Sequence, residues 1–243
     1  MNLIIDQGNT ATKLAIFEGE IFLKKNSFPK EEKQKVENWV TENCPLDTKI
    51  LISSVTNQEL NFSHQNCIRF THETPIPIEN TYATPLTLGL DRLANAVGAW
   101  SKNKKGNSLV IDMGTCIKYD IVITNEQGKG QYLGGNISPG LRMRYQALNG
   151  YTDKLPLLVP EKEFEYSYGK TTETSMKNGV QHAIYHEIKG FIQRYQEELG
   201  ELTIFMTGGD IKYFDKAFKN TIFADSDLTI FGLNEILIYN VEY

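Results

Sequence analysis

The chain lacks the features that mark secreted, membrane and disulfide-rich proteins. Its three cysteines, Cys44, Cys67 and Cys116, are scattered without a Cys-x-x-Cys spacing, which is typical of reduced thiols in a cytoplasm. No apolar run approaches the length of a bilayer span, and the N-terminus lacks the basic start and apolar core of a secretory signal. We therefore expect a cytoplasmic protein without a membrane partner.

An excess of positive charge is also missing. Lys and Arg total 25 against 30 Asp and Glu, so the formal net charge is -5. Such a surface argues against nucleic acid as a partner. Of the 243 residues, 40% are hydrophobic and 23% are charged. This is the composition of an ordinary globular protein with a sizeable core.

Two familiar catalytic patterns are absent or incomplete. No Gly-x-Ser-x-Gly element is present, so a serine hydrolase is not indicated. His182 and His186 have the four-residue spacing of a metal pair on a helix, but no third ligand accompanies them. A zinc site is therefore the less favoured alternative to two ordinary helix residues.

What the chain does contain is a repeated unit. An apolar strand, Asp-x-Gly, a short turn and a second strand occur first around Asp6 and Gly8 and again around Asp112 and Gly114. Repetition on this scale implies duplication, so we predict an α/β protein of two related lobes with an interlobe cleft. The alternative is a pair of unrelated hairpin turns.

A charged connector at 102–107 suggests where the two lobes divide. We predict an N-terminal lobe over 1–105 and a C-terminal lobe over 106–243, with the last helix packing back on the first lobe. The apolar spacing predicts helices over 31–41, 91–101, 172–199, 211–218 and 233–239.

The repeated turn is suited to binding a polyphosphate. The backbone N–H groups of Gly8, Asn9 and Thr10 can form an anion-binding concavity, and Lys13 adds a positive charge. Asp6 would repel phosphate unless a cation lies between them, which implies Mg²⁺. The alternative is that both repeated aspartates only form turns by accepting hydrogen bonds from their own backbone.

A second candidate is Gly89-Leu90-Asp91-Arg92 at the start of a predicted helix. Asp91 is either the N-cap of that helix or a general base that takes a proton from a substrate hydroxyl. A helix N-terminus favours the negative charge that such a base carries. Arg92 would bind an anionic group of the substrate.

Two glycine-rich segments complete the set. Residues 134–140 lead into a helix, with Pro139 suited to its first turn, and are either a connector or a close approach to substrate. Thr207-Gly208-Gly209 follows a strand and suits either contact with a nucleoside or a plain strand–helix turn.

In series, these segments resemble the type III pantothenate kinases. The matching motifs are Asp6-x-Gly8-Asn9-Thr10-x-x-Lys13, Gly89-x-Asp91-Arg92, Asp112-x-Gly114-Thr115 and Gly134-Gly135-x-Ile137-x-Pro139-Gly140. The resemblance implies two ribonuclease H-like lobes of the acetate and sugar kinase, heat-shock ATPase and actin superfold. It also implies the first step of coenzyme A synthesis, in which ATP phosphorylates the 4′-hydroxyl of pantothenate.

The resemblance further implies roles for individual residues. Asp91 is the proton acceptor, Asp112 binds a monovalent cation (K⁺ or NH₄⁺), and Asp6 is expected to hold the Mg²⁺ that accompanies ATP. The residues implied to bind ATP are Asp6, Gln7, Gly8, Asn9, Thr10, Ala11, Thr12, Lys13 and Thr115. Those implied to bind pantothenate are Tyr82, Gly89, Leu90, Asp91, Arg92 and Thr172, with Thr171 as the alternative to Thr172.

The resemblance also implies a homodimer whose substrate pocket lies at the subunit interface. Two alternatives remain open from the residues. The chain could be a non-catalytic nucleotide-binding regulator of the same fold, or a kinase for another small hydroxyl substrate.

Overall fold

A computed structural model describes residues 1–56, 60–64, 66–162, 168–214, 217–218 and 222–242. These residues form two compact units. Unit 1 comprises residues 1–102, 129–131 and 227–243, and unit 2 comprises residues 103–128 and 132–226. The predicted division into lobes 1–105 and 106–243 stays a prediction.

The described residues contain eleven strands and five α-helices. The strands are β1 (Asn2–Gln7), β2 (Ala11–Glu18), β3 (Ile21–Pro29), β4 (Lys49–Ser54), β5 (Cys67–Arg69), β6 (Glu79–Asn80), β7 (Asn107–Met113), β8 (Cys116–Thr124), β9 (Gly130–Pro139), β10 (Leu202–Thr207) and β11 (Phe223–Ala224). The helices are α1 (Lys33–Asn43), α2 (Leu90–Lys102), α3 (Leu141–Gly150), α4 (Thr172–Leu199) and α5 (Leu228–Glu242).

Unit 1 is built on a five-stranded sheet in the order β3-β2-β1-β4-β5. β1 runs antiparallel to β2 and parallel to β4, so it lies in the middle of the sheet. Its segment Leu3–Ile5 is fully buried, as expected of a strand covered on both faces. Val36, Trp39 and Val40 of α1 pack on one side of this sheet in a shared apolar core.

Close helix packing attaches the C-terminal helix to the same unit. A Cβ atom on Gly98 of α2 would stand 2.5 Å from the carbonyl oxygen of Leu228, and one on Gly232 of α5 would stand 2.8 Å from the amide nitrogen of Gly98. The two backbones approach this closely only because both positions are glycine. Asn234 of α5 also bonds Asn2 of β1 through a buried 3.0 Å side-chain contact.

In unit 2, five strands adjoin in the order β11-β10-β7-β8-β9. β7 runs antiparallel to β8 and parallel to β10, which places its end, with Asp112, between two neighbours. The long helix α4 buries Ile184, Ile188 and Ile192 against the apolar residues of these strands. In both units, therefore, a buried strand whose second-to-last residue is an aspartate is held in place by its sheet.

Three local predictions differ from the structure. Residues 130–139 form a strand rather than a connector, so Pro139 ends β9 and does not start a helix. Gly140 is the N-cap of α3. The helix predicted over 211–218 is a single 3₁₀ turn at Ile211–Tyr213, and residues 215 and 216 lie outside the described residues.

Candidate functional site

The first repeated turn joins β1 to β2. The Gly8 amide donates a hydrogen bond to the carbonyl oxygen of Ala11 at 3.0 Å, which closes the turn. Because this N–H group is already hydrogen-bonded within the turn, it does not contribute to the predicted anion-binding concavity. Asp6 is half-buried at the end of β1, directly opposite Lys13 in the antiparallel register. Asn9 and Thr10 at the tip are exposed, as residues that bind a phosphate chain from solvent need to be.

Some of the remaining predicted ATP residues of this hairpin are buried, and others are exposed to solvent. The side chains of Gln7 and Thr12 are buried within the sheet, and Lys13 is exposed. Any contact between Gln7 or Thr12 and a nucleotide would therefore run through the backbone, and their assignment to ATP stays a prediction.

The second turn, between β7 and β8, is one residue shorter. The Gly114 amide donates to the carbonyl oxygen of Cys116 at 3.1 Å, and Thr115 is exposed at the tip. Asp112 is directly opposite Lys118 in the register, so the twin hairpins each place a lysine across from the strand-end aspartate. Lys118 forms an ion pair with Asp112, with 2.7 Å between Nζ and Oδ2.

Sequence reasoning missed Lys118. In an antiparallel hairpin, directly opposed side chains share one face of the sheet. A two-residue turn after Asp112-Met113 therefore places Lys118 beside Asp112, and this register was the signal that could have identified it.

Two of the glycine-rich segments meet the second turn. A Cβ atom on Gly140 would stand 2.6 Å from the carbonyl oxygen of Gly114, so the start of α3 packs closely against the second turn. A Cβ atom on Gly208 would stand 2.7 Å from Oδ1 of Asp112. Gly208 also has a φ of +100°, a conformation that side chains disfavour. The structure thus brings Asp112, Gly114, Gly140 and Gly208 together at the second turn.

The candidate base lies on α2 in unit 1. The helix begins at Leu90, so Asp91 is in its first turn and is not the N-cap. Its Oδ1 accepts a hydrogen bond from the Arg92 amide at 2.9 Å. The carboxylate lies beside Gly89, where a Cβ atom would stand 2.5 Å from Oδ1. Arg92 is only 4% exposed, and its guanidinium carbon lies 5.8 Å from the centre of the Tyr82 ring. Five predicted pantothenate residues, Tyr82 and Gly89 to Arg92, are therefore neighbours here.

The other predicted pantothenate residue is at the start of α4 in unit 2. Thr171 is the N-cap and takes part in a capping box. Its hydroxyl accepts a hydrogen bond from the Thr174 amide, and the Thr174 hydroxyl accepts one from the Thr171 amide. Thr172 follows as the first helical residue. Both threonines line a cavity of about 1200 Å³ between α3 and α4, together with Tyr151, Leu155 and Met176. The capping box engages the Thr171 hydroxyl as an acceptor, and the choice between Thr171 and Thr172 as the pantothenate contact stays a prediction.

A polar cluster that the sequence did not reveal borders this cavity. Glu187 of α4 accepts hydrogen bonds from Ser138, Tyr119 and Arg144 at 2.5, 2.8 and 2.6 Å. Burial alone would raise the pKa of Glu187, but these three donors and the charge of Arg144 outweigh it and hold the pKa below its usual value. Burial and the bond to Glu187 raise the pKa of Tyr119. The cluster therefore fixes Arg144, which lines the cavity, in one position.

The alternative zinc site gains no support from the described residues. The rings of His182 and His186 lie 6.5 Å apart, and no group of three His, Cys, Asp or Glu side chains in the described ranges could hold a metal ion. Within the same ranges, no helix is long and apolar enough to cross a bilayer.

Comparison with known sequences decides the family. The family model described as Type III pantothenate kinase matches residues 2–194. The chain belongs to the type III pantothenate kinase family. A relative from Flavobacterium johnsoniae, named Type III pantothenate kinase, is 41% identical over 247 residues, covering 100% of this chain and 99% of its own.

Comparison with solved structures shows the fold of this family member. A putative 2-dehydro-3-deoxygalactonokinase from Sinorhizobium meliloti aligns with a TM-score of 0.55 at 10% identity, over 99% of this chain and 97% of its own. A glucokinase from an Antarctic psychrotroph aligns with a TM-score of 0.52, also at 10% identity, over 97% and 98%. These likenesses confirm the predicted sugar kinase and actin-like superfold.

Membership of this kinase family makes the chain an enzyme that uses ATP with a divalent metal. The residues of unit 1 fit Mg²⁺. A carboxylate oxygen is the ligand that Mg²⁺ prefers, and Mg²⁺ is commonly held by one or two carboxylates together with substrate phosphates. Asp6 supplies such a carboxylate beside the exposed tip of the first turn.

Proposed function

We propose that the chain transfers the γ-phosphoryl group of ATP to the 4′-hydroxyl of pantothenate, the first step of coenzyme A biosynthesis. The observation that carries the proposal is the full-length match at 41% identity to a protein named Type III pantothenate kinase. The Gly89-Leu90-Asp91-Arg92 segment, with Asp91 at the start of α2, supplies the chemistry that this reaction needs.

In this mechanism Asp91 accepts the proton of the attacking hydroxyl. The carboxylate lies in the first turn of α2, where the helix dipole favours its negative charge. Gly89 leaves Oδ1 of Asp91 without a side chain beside it, where a Cβ would stand 2.5 Å away, and Tyr82 and Arg92 orient the anionic end of pantothenate. Positioning and charge neutralisation supply most of the catalysis in phosphoryl transfer, so these contacts matter as much as the base.

ATP is assigned to the two turns. We propose that residues 6–13 of the first hairpin and Thr115 of the second bind its phosphates, with Lys13 pairing one phosphate oxygen. Mg²⁺ at Asp6 would neutralise phosphate charge. The exposure of Asn9, Thr10, Lys13 and Thr115 supports this assignment.

The family resemblance also implies K⁺ or NH₄⁺ at Asp112. The residues present do not fit a separate metal ion at Oδ2 of this carboxylate, because the Lys118 ammonium is already bound to that oxygen at 2.7 Å. No step of the mechanism is therefore assigned to a free monovalent cation.

We further propose a cytoplasmic homodimer. Four apolar side chains of unit 2 are exposed: Met143, Tyr151, Leu157 and Val159. Tyr151, which lines the cavity between α3 and α4, is 91% exposed. Exposed apolar surface of this kind is often covered in a protein interface. A dimer through this surface would also enclose the cavity that Thr172 lines.

The test is a coupled assay of ADP release with Mg²⁺ and ATP, run with pantothenate and, separately, with glucose as an alternative hydroxyl acceptor. Mass spectrometry of the product identifies 4′-phosphopantothenate. Release that depends on pantothenate supports the proposal. Release with glucose alone would indicate a different kinase, and ATP binding without release to either acceptor would indicate the regulator.

A further inference from the structure

The ion pair between Asp112 and Lys118 is withdrawn from water, unlike the Lys25–Asp227 pair. Lys118 is 16% exposed at its side chain and Asp112 is 13% exposed, and their charged atoms are 2.7 Å apart. The Lys25–Asp227 pair in unit 1 has the same 2.7 Å distance but is 55% and 27% exposed. A pair withdrawn from water is weakly screened, so each partner depends strongly on the other.

The sheet fixes this pair. Asp112 lies on β7 between Lys118 on β8 and Thr207 on β10, each directly opposite it in register. The short turn leaves no register freedom, because the Gly114 amide closes it on Cys116. Lys118 is therefore a built part of the second turn, as Lys13 is the register partner of Asp6 in the first.

The other oxygen of the carboxylate, Oδ1, faces Gly208, where a Cβ atom would stand 2.7 Å from it. The Lys118 ammonium is bound at Oδ2. An ion that bound Asp112 through Oδ2 would have to displace Lys118.

We propose that the Lys118 ammonium permanently occupies the place at Asp112 that a monovalent cation would take, so that nucleotide binding and turnover do not require K⁺ or NH₄⁺. A lysine ammonium carries the same single positive charge as either ion and donates up to three hydrogen bonds. Because it is attached to β8, it binds without the entropy cost of capturing an ion. The inference rests on the proposed function only in taking the second turn as part of the ATP site.

A purely structural ion pair would give a different result on mutation. Loss of Lys118 would then destabilise the sheet by leaving a carboxylate without its partner, and no ion would act specifically on nucleotide binding. In the proposed role, an ion of suitable charge and size replaces the missing ammonium. Ion-specific rescue therefore separates the two.

The experiment compares wild type with K118A, K118M and K25A. K118A removes the ammonium and leaves room for an ion, whereas K118M removes the charge and fills the space. K25A removes an ion pair of equal length that belongs to neither turn and is the matched control. Three readouts are taken in KCl, NH₄Cl and choline chloride at equal ionic strength: MgADP affinity by calorimetry, melting temperature without nucleotide, and pantothenate-dependent ADP release.

Wild type and K25A are expected to give the same values in all three salts. In K118A, MgADP affinity and turnover should fall on the order of 10²-fold in choline chloride, as for loss of one preorganised charge-stabilising donor. KCl or NH₄Cl should restore most of that loss and raise the melting temperature, because an ion that binds only the native state stabilises it. K118M should show the loss without the rescue.

Two results would overturn the proposal: wild-type affinity or turnover that needs K⁺, or a K118A variant on which K⁺ and NH₄⁺ have no specific effect. Should K118A not fold, the salt independence of wild type still decides. Failure of the proposed function would give a different result. Wild type would release no ADP with pantothenate in any salt, while its MgADP affinity in the three salts would still test the role of Lys118.

Discussion

Replacing Gly208 by alanine should damage the second turn far more than the same change one residue later. The new Cβ would stand 2.7 Å from Oδ1 of Asp112 and would contact the carbonyl oxygen of Met113. That carbonyl is backbone and accepts the Asp210 amide at 3.0 Å, so it cannot move freely. The φ of +100° adds a conformational penalty for any residue with a side chain.

The expected loss in the free energy of unfolding is about 1–3 kcal/mol, from the backbone penalty and overpacking together. For a protein of this size, each kcal/mol corresponds to roughly 2–4 °C in melting temperature. Turnover should fall as well, because the displaced Asp112 carboxylate belongs to the second turn.

Gly209 provides the matched control, since a Cβ atom there would have no atom within 4 Å. The stabilities of G208A and G209A are compared by thermal unfolding, and the pantothenate-dependent ADP release of G208A is compared with that of wild type. A G208A variant as stable as G209A and as active as wild type would refute the reasoning about this close approach.

Three further outcomes are expected. The pKa of Glu187 is lowered in the folded state, so its ionised form stabilises the protein above the unfolded pKa of about 4.3. This stabilisation is lost as the pH falls through the folded pKa. The difference in the free energy of unfolding between wild type and E187Q, measured by urea titration, should therefore shrink in acid. G232A should cost about 1–3 kcal/mol in the free energy of unfolding because α2 lies against that position, whereas G190A, with no atom within 4 Å, should cost nothing in the same titration. K13M should raise the KM for ATP about 10-fold in steady-state kinetics, through loss of a charged phosphate contact, and an unchanged KM would remove Lys13 from the ATP site.

The twin hairpins could be predicted from sequence because their signal is local. An apolar run followed by Asp-x-Gly specifies a strand and its turn without help from the rest of the chain, and β1 and β7 follow it. The long apolar stripe of α4 gave its bounds for the same reason.

β9 could not be predicted, because its sequence argues against a strand. Gly134 and Gly135 lower strand propensity, yet Gly135 lies directly against the carbonyl group of Tyr119 on the neighbouring strand, where no side chain fits. Tertiary packing overrides the local preference here.

Much of the candidate site depends on contacts between distant segments. Glu187 reaches Ser138 and Tyr119 only once α4 packs on the sheet of unit 2. Lys118 is intermediate: its register follows from the turn, but its burial follows from the fold. The role of Asp91 came from the resemblance of the whole motif series, since an aspartate at a helix start has a common structural use.

The most direct test of the account is the turnover of D91N beside D47N, a control at an exposed carboxylate in unit 1. Asparagine keeps the size of the side chain and removes the base. Pantothenate-dependent turnover of D91N should therefore fall by ~10²–10⁴, while its melting temperature and MgADP affinity match those of D47N. Turnover of D91N equal to that of D47N would contradict the assignment of Asp91 as proton acceptor.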